Sequence, residues 1–382
     1  MFKSLSAFIS AAVCLTLLAL LVACSSTPAT SPTAAPAKPA EPTKVTAPAA
    51  TAAAPAAAAT KPAAAASFPK TTLKMGYTHN TDMSAHKGSV RFAELVKERT
   101  GGAVEIQIFP NSQLGNEKDM VEQVKNGVIH LDNVSAGMLA NFEGWGPVAT
   151  FNMPYFFKAG TEEEQSPLLL KLSRSPVMTD IAETAAKTSG IRALDMGWWY
   201  GQRHTTTSKK QILKADDLKG MKIRTPDALV QKLAMQSLGA SVTPMAMAEL
   251  YSALQMGVVD GQENPINTVY TAKFYEIQKY LALTGHMTQN QVTIINDKSW
   301  QGFSPELKAV FTKAVAEAGD YQTDMQVKAN KQNLEDLKGK GMTVNTVDTK
   351  EFAEKTKDAW KELEPMFGKG MYEKIKAAAD AL

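Results

Sequence analysis

Hydrophobic and polar residues alternate in short runs, or recur at helical spacing, from residue 73 onward. The first part of this stretch predicts a strand at Leu73–Tyr77, a helix at Met83–Arg99, a strand at Val104–Phe109, a helix at Glu117–Lys125 and a strand at Ile129–Val134. Strands and helices that alternate in this way are typical of an α/β fold with a parallel sheet. Ligands of such sheets bind beyond the carboxyl ends of the strands.

A second α/β unit is predicted further along the chain. Its elements are strands at Ile191–Met196 and Met221–Arg224, an extended run at Arg203–Thr207, a helix from Thr225-Pro226-Asp227 to Leu238, a helix at Ala246–Met256, a short buried strand at Val258-Val259, and a helix from Pro265 to about Tyr280. Asp260-Gly261 is predicted to form a turn, and helices are predicted to dominate from Ser304 to the end.

The first residues have the pattern of an export signal rather than of a folded domain. The apolar run Ala7–Leu20 is shorter than a membrane-spanning helix and follows a single lysine, so residues 1–23 are predicted to be a signal peptide. Leu21-Val22-Ala23-Cys24 resembles the lipobox of bacterial lipoproteins, which implies lipid attachment at Cys24; the alternative is an ordinary secretory signal with an unrelated cysteine. Residues 24–67, rich in Ala and Pro, are predicted to be a disordered tether.

Charge and motif content argue against several classes of function. The chain has 41 Lys and Arg against 38 Asp and Glu, with no long basic run, which disfavours nucleic-acid binding. Both cysteines lie in the first 24 residues, and the five histidines show no metal-binding spacing, so we expect no metal site. Without a dinucleotide or phosphate-loop motif, and without a nucleophile elbow, we expect no cofactor and no enzymatic activity.

Arg224 is the residue with the clearest chemical potential. It lies where a predicted strand meets a predicted helix, and a guanidinium group matches a carboxylate with two hydrogen bonds. Gln262 and Asn264 follow another short strand and could complete a site for a small anion. A surface ion pair is the alternative for Arg224, and capping of the next helix is the alternative for Asn264. Glu263 is interpreted as an interdomain partner for a basic residue.

Other candidates lie on predicted strand ends or in an aromatic run. They are His79, Asn80 and Ser135 on loops of the first unit, the aromatic residues Trp198, Trp199 and Tyr200, and Trp145 as a cover for the cleft. At least one residue of the aromatic run is expected to pack in the core instead. The run favours a ligand larger than a four-carbon acid.

The block from Met221 to Pro265 resembles, nearly residue for residue, the signature region of the solute-binding proteins of TRAP transporters, the dicarboxylate-binding family. The resemblance extends over nearly the whole chain from Thr72 onward. It implies that Arg224 binds a ligand carboxylate and that Asn264 lies in the same cleft. It also implies a second arginine contact at Arg203, with His204 or an ordinary ion pair as the alternatives. Met247 stands where relatives often have a phenylalanine that forms the floor of the site, and packing in the core is the alternative for this residue.

The family also implies two α/β domains with a ligand cleft between them, joined by crossing strands and a long helix. On that basis one domain comprises residues 68–199 and 289–328, and the other comprises residues 200–288 and 329–382. The expected function is capture of an organic acid or sugar acid, closure of the domains, and delivery to the membrane permease subunits. The alternatives are an envelope receptor that senses such an acid and an envelope enzyme that acts on one. We expect a monomer, extracytoplasmic and anchored to the membrane through Cys24.

Overall fold

A computed structural model describes residues 67–158 and 160–382 of the chain. The predicted signal peptide, the lipid attachment at Cys24 and nearly all of the predicted tether lie outside the described residues. Within those residues, no helix combines the length and the apolar character needed to cross a membrane.

The strands form one mixed sheet. They are β1 (Thr71–Gly76), β2 (Val104–Phe109), β3 (Leu131–Ser135), β4 (Ile191–Thr207), β5 (Lys222–Thr225), β6 (Ser241–Pro244), β7 (Gly261–Asn264), β8 (Tyr280–Asn296) and β9 (Thr343–Thr346). Their order in the sheet is β2-β1-β3-β8-β4-β7-β5-β6, with β9 beside β8. We call β1–β3 the first parallel group and β5–β7 the second, because neighbouring strands within each group run parallel.

The helices connect these strands and cover the sheet. They are α1 (Ser84–Arg99), α2 (Glu117–Lys125), α3 (Ala136–Leu139), α4 (Glu162–Ser173), α5 (Pro176–Ser189), α6 (Leu229–Ser237), α7 (Met247–Gln255), α8 (Ile266–Thr271), α9 (Asp297–Gln301), α10 (Pro305–Gly339), α11 (Thr349–Thr356), α12 (Ala359–Phe367) and α13 (Met371–Asp380). Helices α1 and α2 connect the first parallel group, and α6 and α7 connect the second. Each group is therefore a β-α-β-α-β unit. The sequence pattern predicts this order for the first group, whereas for the second it predicts an α/β unit without strand β6.

Two long antiparallel strands, β4 and β8, join the parallel groups. The carboxyl-terminal part of β8 pairs with β3, and the carboxyl-terminal part of β4 pairs with β7. Each strand has 17 residues, so each extends from one group to the other. The α/β fold with crossing strands is thus confirmed.

Helix α10 packs along the crossing strand β4. Gln322 and Gln326 donate side-chain hydrogen bonds of 2.9 Å and 2.7 Å to the backbone oxygens of Trp199 and Tyr200. The approach is so close that a Cβ atom at Gly319 would lie 2.4 Å from the indole nitrogen of Trp198. Only glycine allows this contact, and it fixes the long helix against the strands that join the two groups.

The carboxyl-terminal helices α12 and α13 pack in the same hydrophobic cluster as residues that precede β4. Leu363, Phe367 and Ile375 share this cluster with Phe156 and Leu169. The predicted domain boundaries stay a prediction.

The predicted start of the helix after β5 is wrong. Thr225 is still part of the strand, where it pairs with Pro244, and it does not cap a helix. Ala228 is extended, with φ −114° and ψ 129°, so helix α6 begins at Leu229 rather than at Pro226. Parallel pairing with β6 therefore overrides the local helix-start signal.

Two predictions near residue 260 are also wrong. The strand lies at Gly261–Asn264 rather than at Val258-Val259, and Val258 is largely exposed. The helix after Pro265 ends at Thr271, and Lys273 has a positive φ of 56°. A short 3-10 turn at Phe274–Glu276 follows, and the chain enters the crossing strand β8 at Tyr280.

Candidate ligand-binding site

A cavity of about 770 Å³ lies at the carboxyl ends of strands from both parallel groups. The first group contributes Thr78, Ser112, Gly115, Asn116, Glu117, Lys118 and Met138, and the second contributes Arg224, Pro226, Asp227, Pro244, Met245, Ala246, Met247, Ala248 and Glu249. This is the position expected for the ligand site of an α/β sheet, and the volume suits a small molecule.

Arg224 reaches the cavity from the end of β5. Its side chain is buried, and its Nε and Nη2 atoms donate hydrogen bonds of 3.0 Å and 2.5 Å to the backbone oxygen of Met245. Those bonds orient the guanidinium plane, while the hydrogen bonds of the described residues leave Nη1 without a partner. Among the same residues Arg224 forms no ion pair.

The electrostatic environment of Arg224 is that of a buried cation near charges of both signs. Burial lowers its pKa to about 10, and the charge of Glu263 opposes this effect while that of Arg203 reinforces it. The charges of Glu117 and Tyr200 also raise this pKa. A guanidinium with this pKa is charged at neutral pH, so the site retains a cation that an anionic ligand could pair with.

Arg203, the second predicted arginine contact, is engaged in a buried ion pair. Its Nε and Nη2 atoms donate to the two carboxylate oxygens of Glu263, the second at 2.8 Å, and its Nη1 atom donates to Gln289. Burial would raise the pKa of Glu263, but Arg203 and His286 lower it. Glu263 therefore holds a basic residue, as predicted, but its partner Arg203 lies in the same predicted segment, 200–288, rather than in the other domain. Arg203 does not line the cavity. A direct ligand contact by Arg203 stays a prediction.

Gln262 and Asn264 are buried on β7 beside this ion pair. The amide of Asn264 donates to Gln262 Oε1 at 2.5 Å, and the amide of Gln262 donates to Thr206 at 2.9 Å. Asn264 makes no capping hydrogen bond to the next helix, whose cap position is Pro265. Neither amide lines the cavity, so their contact with a ligand also stays a prediction.

The predicted aromatic residues are buried around the crossing strand. Trp198 packs against α10, the indole N–H of Trp199 donates to Glu162 at 3.2 Å, and the indole N–H of Trp145 donates to Ser189 at 3.0 Å. Tyr200 is nearest to the arginines and accepts a hydrogen bond of 3.0 Å from Thr268. None of the four lines the cavity.

The remaining predicted contacts divide between the cavity and its surroundings. Met247 lines the cavity at the start of α7. His79 is buried with its ring centre 5.3 Å from that of Tyr200, and burial lowers its pKa to about 3. Asn80 donates to the backbone oxygen of Thr271 at 3.4 Å, and Ser135 caps α3.

Glu117 is a candidate that sequence reasoning missed. It is the first residue of α2, lines the cavity, and accepts a hydrogen bond of 2.7 Å from the backbone N–H of Ser135. The sequence does contain one indication of this position. Asn116 is a helix-capping residue type after β2, so Glu117 stands at the loop beyond the end of that strand, where ligands of α/β sheets bind.

The two parallel groups touch beside the cavity. Asn141, just after α3, donates to the backbone oxygen of Asp227 at 2.8 Å and accepts from the backbone N–H of Leu229 at 3.4 Å. A Cβ atom at Gly137 would lie 2.5 Å from Oε1 of Gln231 on α6. One asparagine side chain therefore connects the two sides of the cavity.

A second cavity, of about 710 Å³, lies beside the crossing strands and shares no lining residue with the first. Three acidic residues line it, and one of them, Glu162, accepts hydrogen bonds from Gln202, Asn330 and Trp199. Burial raises the pKa of Glu162 to about 7, and these donors oppose the shift. Because the buried acid of this cavity is already hydrogen-bonded, whereas Arg224 forms no ion pair among the described residues, we take the Arg224 cavity as the ligand site.

Comparison with known proteins identifies the family. A model of the family described as bacterial extracellular solute-binding protein, family 7, matches residues 75–365. The 2,3-diketo-L-gulonate-binding periplasmic protein YiaO of Escherichia coli is 32% identical over 290 residues, which cover 75% of this chain and 85% of YiaO.

Solved structures agree with the family match. A TRAP periplasmic solute-binding protein from Polaromonas, bound to D-erythronate, is 33% identical with a TM-score of 0.73, covering 80% of this chain and 98% of that one. The sugar acid binding protein DctPAm from Advenella mimigardefordensis, in complex with galactonate, is 28% identical with a TM-score of 0.75, covering 82% and 99%. The chain therefore belongs to the bacterial extracellular solute-binding proteins of family 7, the DctP family of periplasmic solute-binding proteins that serve TRAP transporters.

Proposed function

We propose that this protein captures a carboxylate-bearing small molecule, an organic acid or a sugar acid, by pairing the carboxylate with Arg224. The observation that carries the proposal is the state of Arg224, which is buried, lines the cavity and forms no ion pair among the described residues. The ligands named for the three relatives are all sugar-derived acids, which supports the same chemistry. Membership of a transport family favours delivery to a permease over sensing or catalysis.

The energetics favour an arginine that is held in place before the ligand arrives. Burying a carboxylate is costly unless it is paired and hydrogen-bonded. The two bonds from Arg224 to the Met245 oxygen fix the guanidinium group, so little side-chain freedom is lost when a ligand binds. A lysine would present a point charge without the fork that matches a carboxylate.

Ligand capture is proposed to close two lobes around the cavity. The crossing strands β4 and β8 support this division, and the lobes would follow the predicted boundaries with one change. Helices α12 and α13 pack with Phe156 and Leu169, so we assign residues 359–380 to the lobe that contains the first parallel group. Small-angle scattering with and without ligand would test closure, since an unchanged radius of gyration would contradict it.

We further propose that Cys24 carries a lipid and that residues 24–67 tether the binding domain to the membrane as a monomer. The lipobox-like residues before Cys24 and the Ala- and Pro-rich composition support this placement. Mass spectrometry of the mature amino terminus would test it, because an unmodified cysteine would exclude the anchor.

Isothermal titration calorimetry of the purified protein against a panel of organic and sugar acids tests the central proposal. With the best ligand, Arg224→Lys should weaken binding roughly 10- to 100-fold, the range expected for lost hydrogen bonds to a charged group. Arg91→Lys is the matched control, because Arg91 is an exposed arginine paired only with Glu94. Equal affinities for the wild type and Arg224→Lys would refute the assignment of the anchor.

A further inference from the structure

The second cavity lies beside the strands that join the two parallel groups. Its volume of about 710 Å³ falls within the range of about 300–1,000 Å³ that is typical of small-molecule sites. Its walls come mainly from helices α4, α8 and α10 and from strands β4 and β8. Both predicted domains contribute to these walls, and none of the residues belongs to the Arg224 cavity. The second cavity is therefore a separate place where a small molecule can be held.

Much of the lining of the second cavity is apolar. Aromatic and aliphatic side chains from both predicted domains contribute to it, namely Phe156, Phe157, Ile266, Leu283, Val327 and Leu334. Burying part of a ligand against these side chains is favourable, because it removes apolar surface from water. The lining thus favours a ligand with a largely apolar body.

The charged residues of the second cavity disfavour a charged ligand. Glu163, Glu164 and Lys331 are exposed at its edge and Glu162 lies further inside, so acidic residues outnumber basic ones. This excess of negative charge repels an anion. Each carboxylate oxygen of Glu162 already accepts two hydrogen bonds from the protein, so an ammonium group would find no free acceptor there. An uncharged ligand avoids both difficulties.

His204 brings an unused hydrogen-bond donor to the second cavity. Its Nδ1 atom accepts a hydrogen bond of 3.0 Å from the backbone N–H of Gly285, so the proton of the neutral ring is on Nε2. Burial lowers the pKa of His204 to about 3, so the ring is neutral at physiological pH. The residue lines the cavity and is only 7% exposed, yet its Nε2 atom has no hydrogen-bond partner within the described part of the chain. A carbonyl or hydroxyl oxygen of a ligand would satisfy this donor.

We propose that the second cavity binds an uncharged, largely apolar small molecule whose carbonyl or hydroxyl oxygen accepts a hydrogen bond from His204 Nε2. This ligand differs in chemistry from the carboxylate proposed for Arg224. Because the two cavities share no lining residue, the protein can hold both molecules at once.

Saturation-transfer NMR titrations with probes of similar size test the proposal. The probes are acetophenone, which is uncharged and has an acceptor, ethylbenzene, which has none, phenylacetate as an anion and phenethylamine as a cation. The wild type should bind acetophenone more tightly than either charged probe. His204→Phe keeps a ring but lacks its N–H, so it should reduce the affinity for acetophenone relative to ethylbenzene about three- to tenfold, the effect of one neutral hydrogen bond.

A second pair of variants locates the probe. Leu283→Trp places a larger side chain in the wall of the second cavity and should weaken acetophenone at least about tenfold. Leu213→Trp is the matched control, because Leu213 is 60% exposed and lines neither cavity, and it should leave the affinity unchanged. Spectra of the ring nitrogens of the five histidines need no variant, since one Nε2 signal should move with acetophenone and not with ethylbenzene.

Several results would overturn the proposal. They are a failure of acetophenone to bind up to its solubility limit, tighter binding of phenylacetate or phenethylamine, and an unchanged ratio of acetophenone to ethylbenzene affinity in His204→Phe. Weaker acetophenone binding in Arg224→Lys would also overturn it, because the probe would then occupy the Arg224 cavity. These titrations contain no organic or sugar acid, so a failure of the proposed function would leave their result intact.

Discussion

Replacing Arg203 by methionine distinguishes its two candidate roles. The Arg203–Glu263 pair is almost fully buried, with side-chain exposures of 2% and 0%. Removing one partner of such a pair leaves an uncompensated buried charge and typically costs about 3–5 kcal/mol of unfolding free energy. Methionine roughly fills the space of the arginine stem, so we attribute the expected loss to the charge that remains on Glu263.

The assay is urea denaturation followed by tryptophan fluorescence, with affinity measured in parallel. Arg91→Met is the control, because Arg91 pairs with Glu94 at the surface and such pairs contribute about 0–1 kcal/mol. A double variant, Arg203→Met with Glu263→Gln, should recover much of the lost stability, since neutral glutamine removes the buried charge.

The pH dependence provides an independent check. Arg203 lowers the pKa of Glu263 against the effect of burial, so the Arg203→Met variant should have a raised Glu263 pKa. A carboxyl group whose pKa is raised on folding takes up a proton more readily when folded, so the stability deficit should shrink as the pH falls. If Arg203→Met unfolds at the wild-type urea concentration but no longer binds ligand, Arg203 is a ligand contact and the structural interpretation is refuted.

Two further predictions concern a buried acid and the contact beside the cavity. Asp132 is buried with neither carboxylate oxygen hydrogen-bonded among the described residues, and burial and Glu117 raise its pKa well above the usual range. Asp132 therefore destabilises the folded protein increasingly as the pH rises above the pKa that it has in the unfolded chain. Asp132→Asn should raise the unfolding free energy at pH 8 by about 1–3 kcal/mol and leave it nearly unchanged at pH 4. Equal denaturation midpoints of the variant and the wild type at pH 8 would contradict this. Asn141→Ala removes both hydrogen bonds to the backbone at Asp227 and Leu229, so calorimetry should show about tenfold weaker ligand binding. An unchanged melting temperature of the ligand-free variant would confirm that it folds. Unchanged affinity would show that this contact does not support closure.

Periodicity predicted the first parallel group well because its elements are local. The predicted β2 and α2 have the boundaries that the structure shows, since each is a short periodic run bounded by a cap or a turn residue. Arg224 was also identified from its position at the end of a strand, and it lines the cavity. In both cases the deciding contacts lie within a few residues along the chain.

Features that depend on distant residues could not be predicted in the same way. Tyr280, which local propensity assigns to a helix, belongs to strand β8, because it pairs with Thr207 of β4 and Thr343 of β9. Arg203 and Arg224 look alike in sequence, yet only Arg203 has Glu263, 60 residues away, as a partner. The cap at Asn116 marks Glu117 as a strand-end residue, but that Glu117 shares a cavity with Arg224 follows only from the packing of the two groups.

The irregular pairing of β4 with β8 has a mechanical consequence. The pairing register shifts at four places along β4, all of them between Ala193 and Thr205. Gly201, whose φ is 127°, lies at one of these shifts. Residues at such shifts are left out of the hydrogen-bond ladder, so the strand can flex there without breaking the paired stretches on either side. If the two lobes close as proposed, these irregular positions are where β4 would bend, because fewer ladder hydrogen bonds oppose a change of strand direction there.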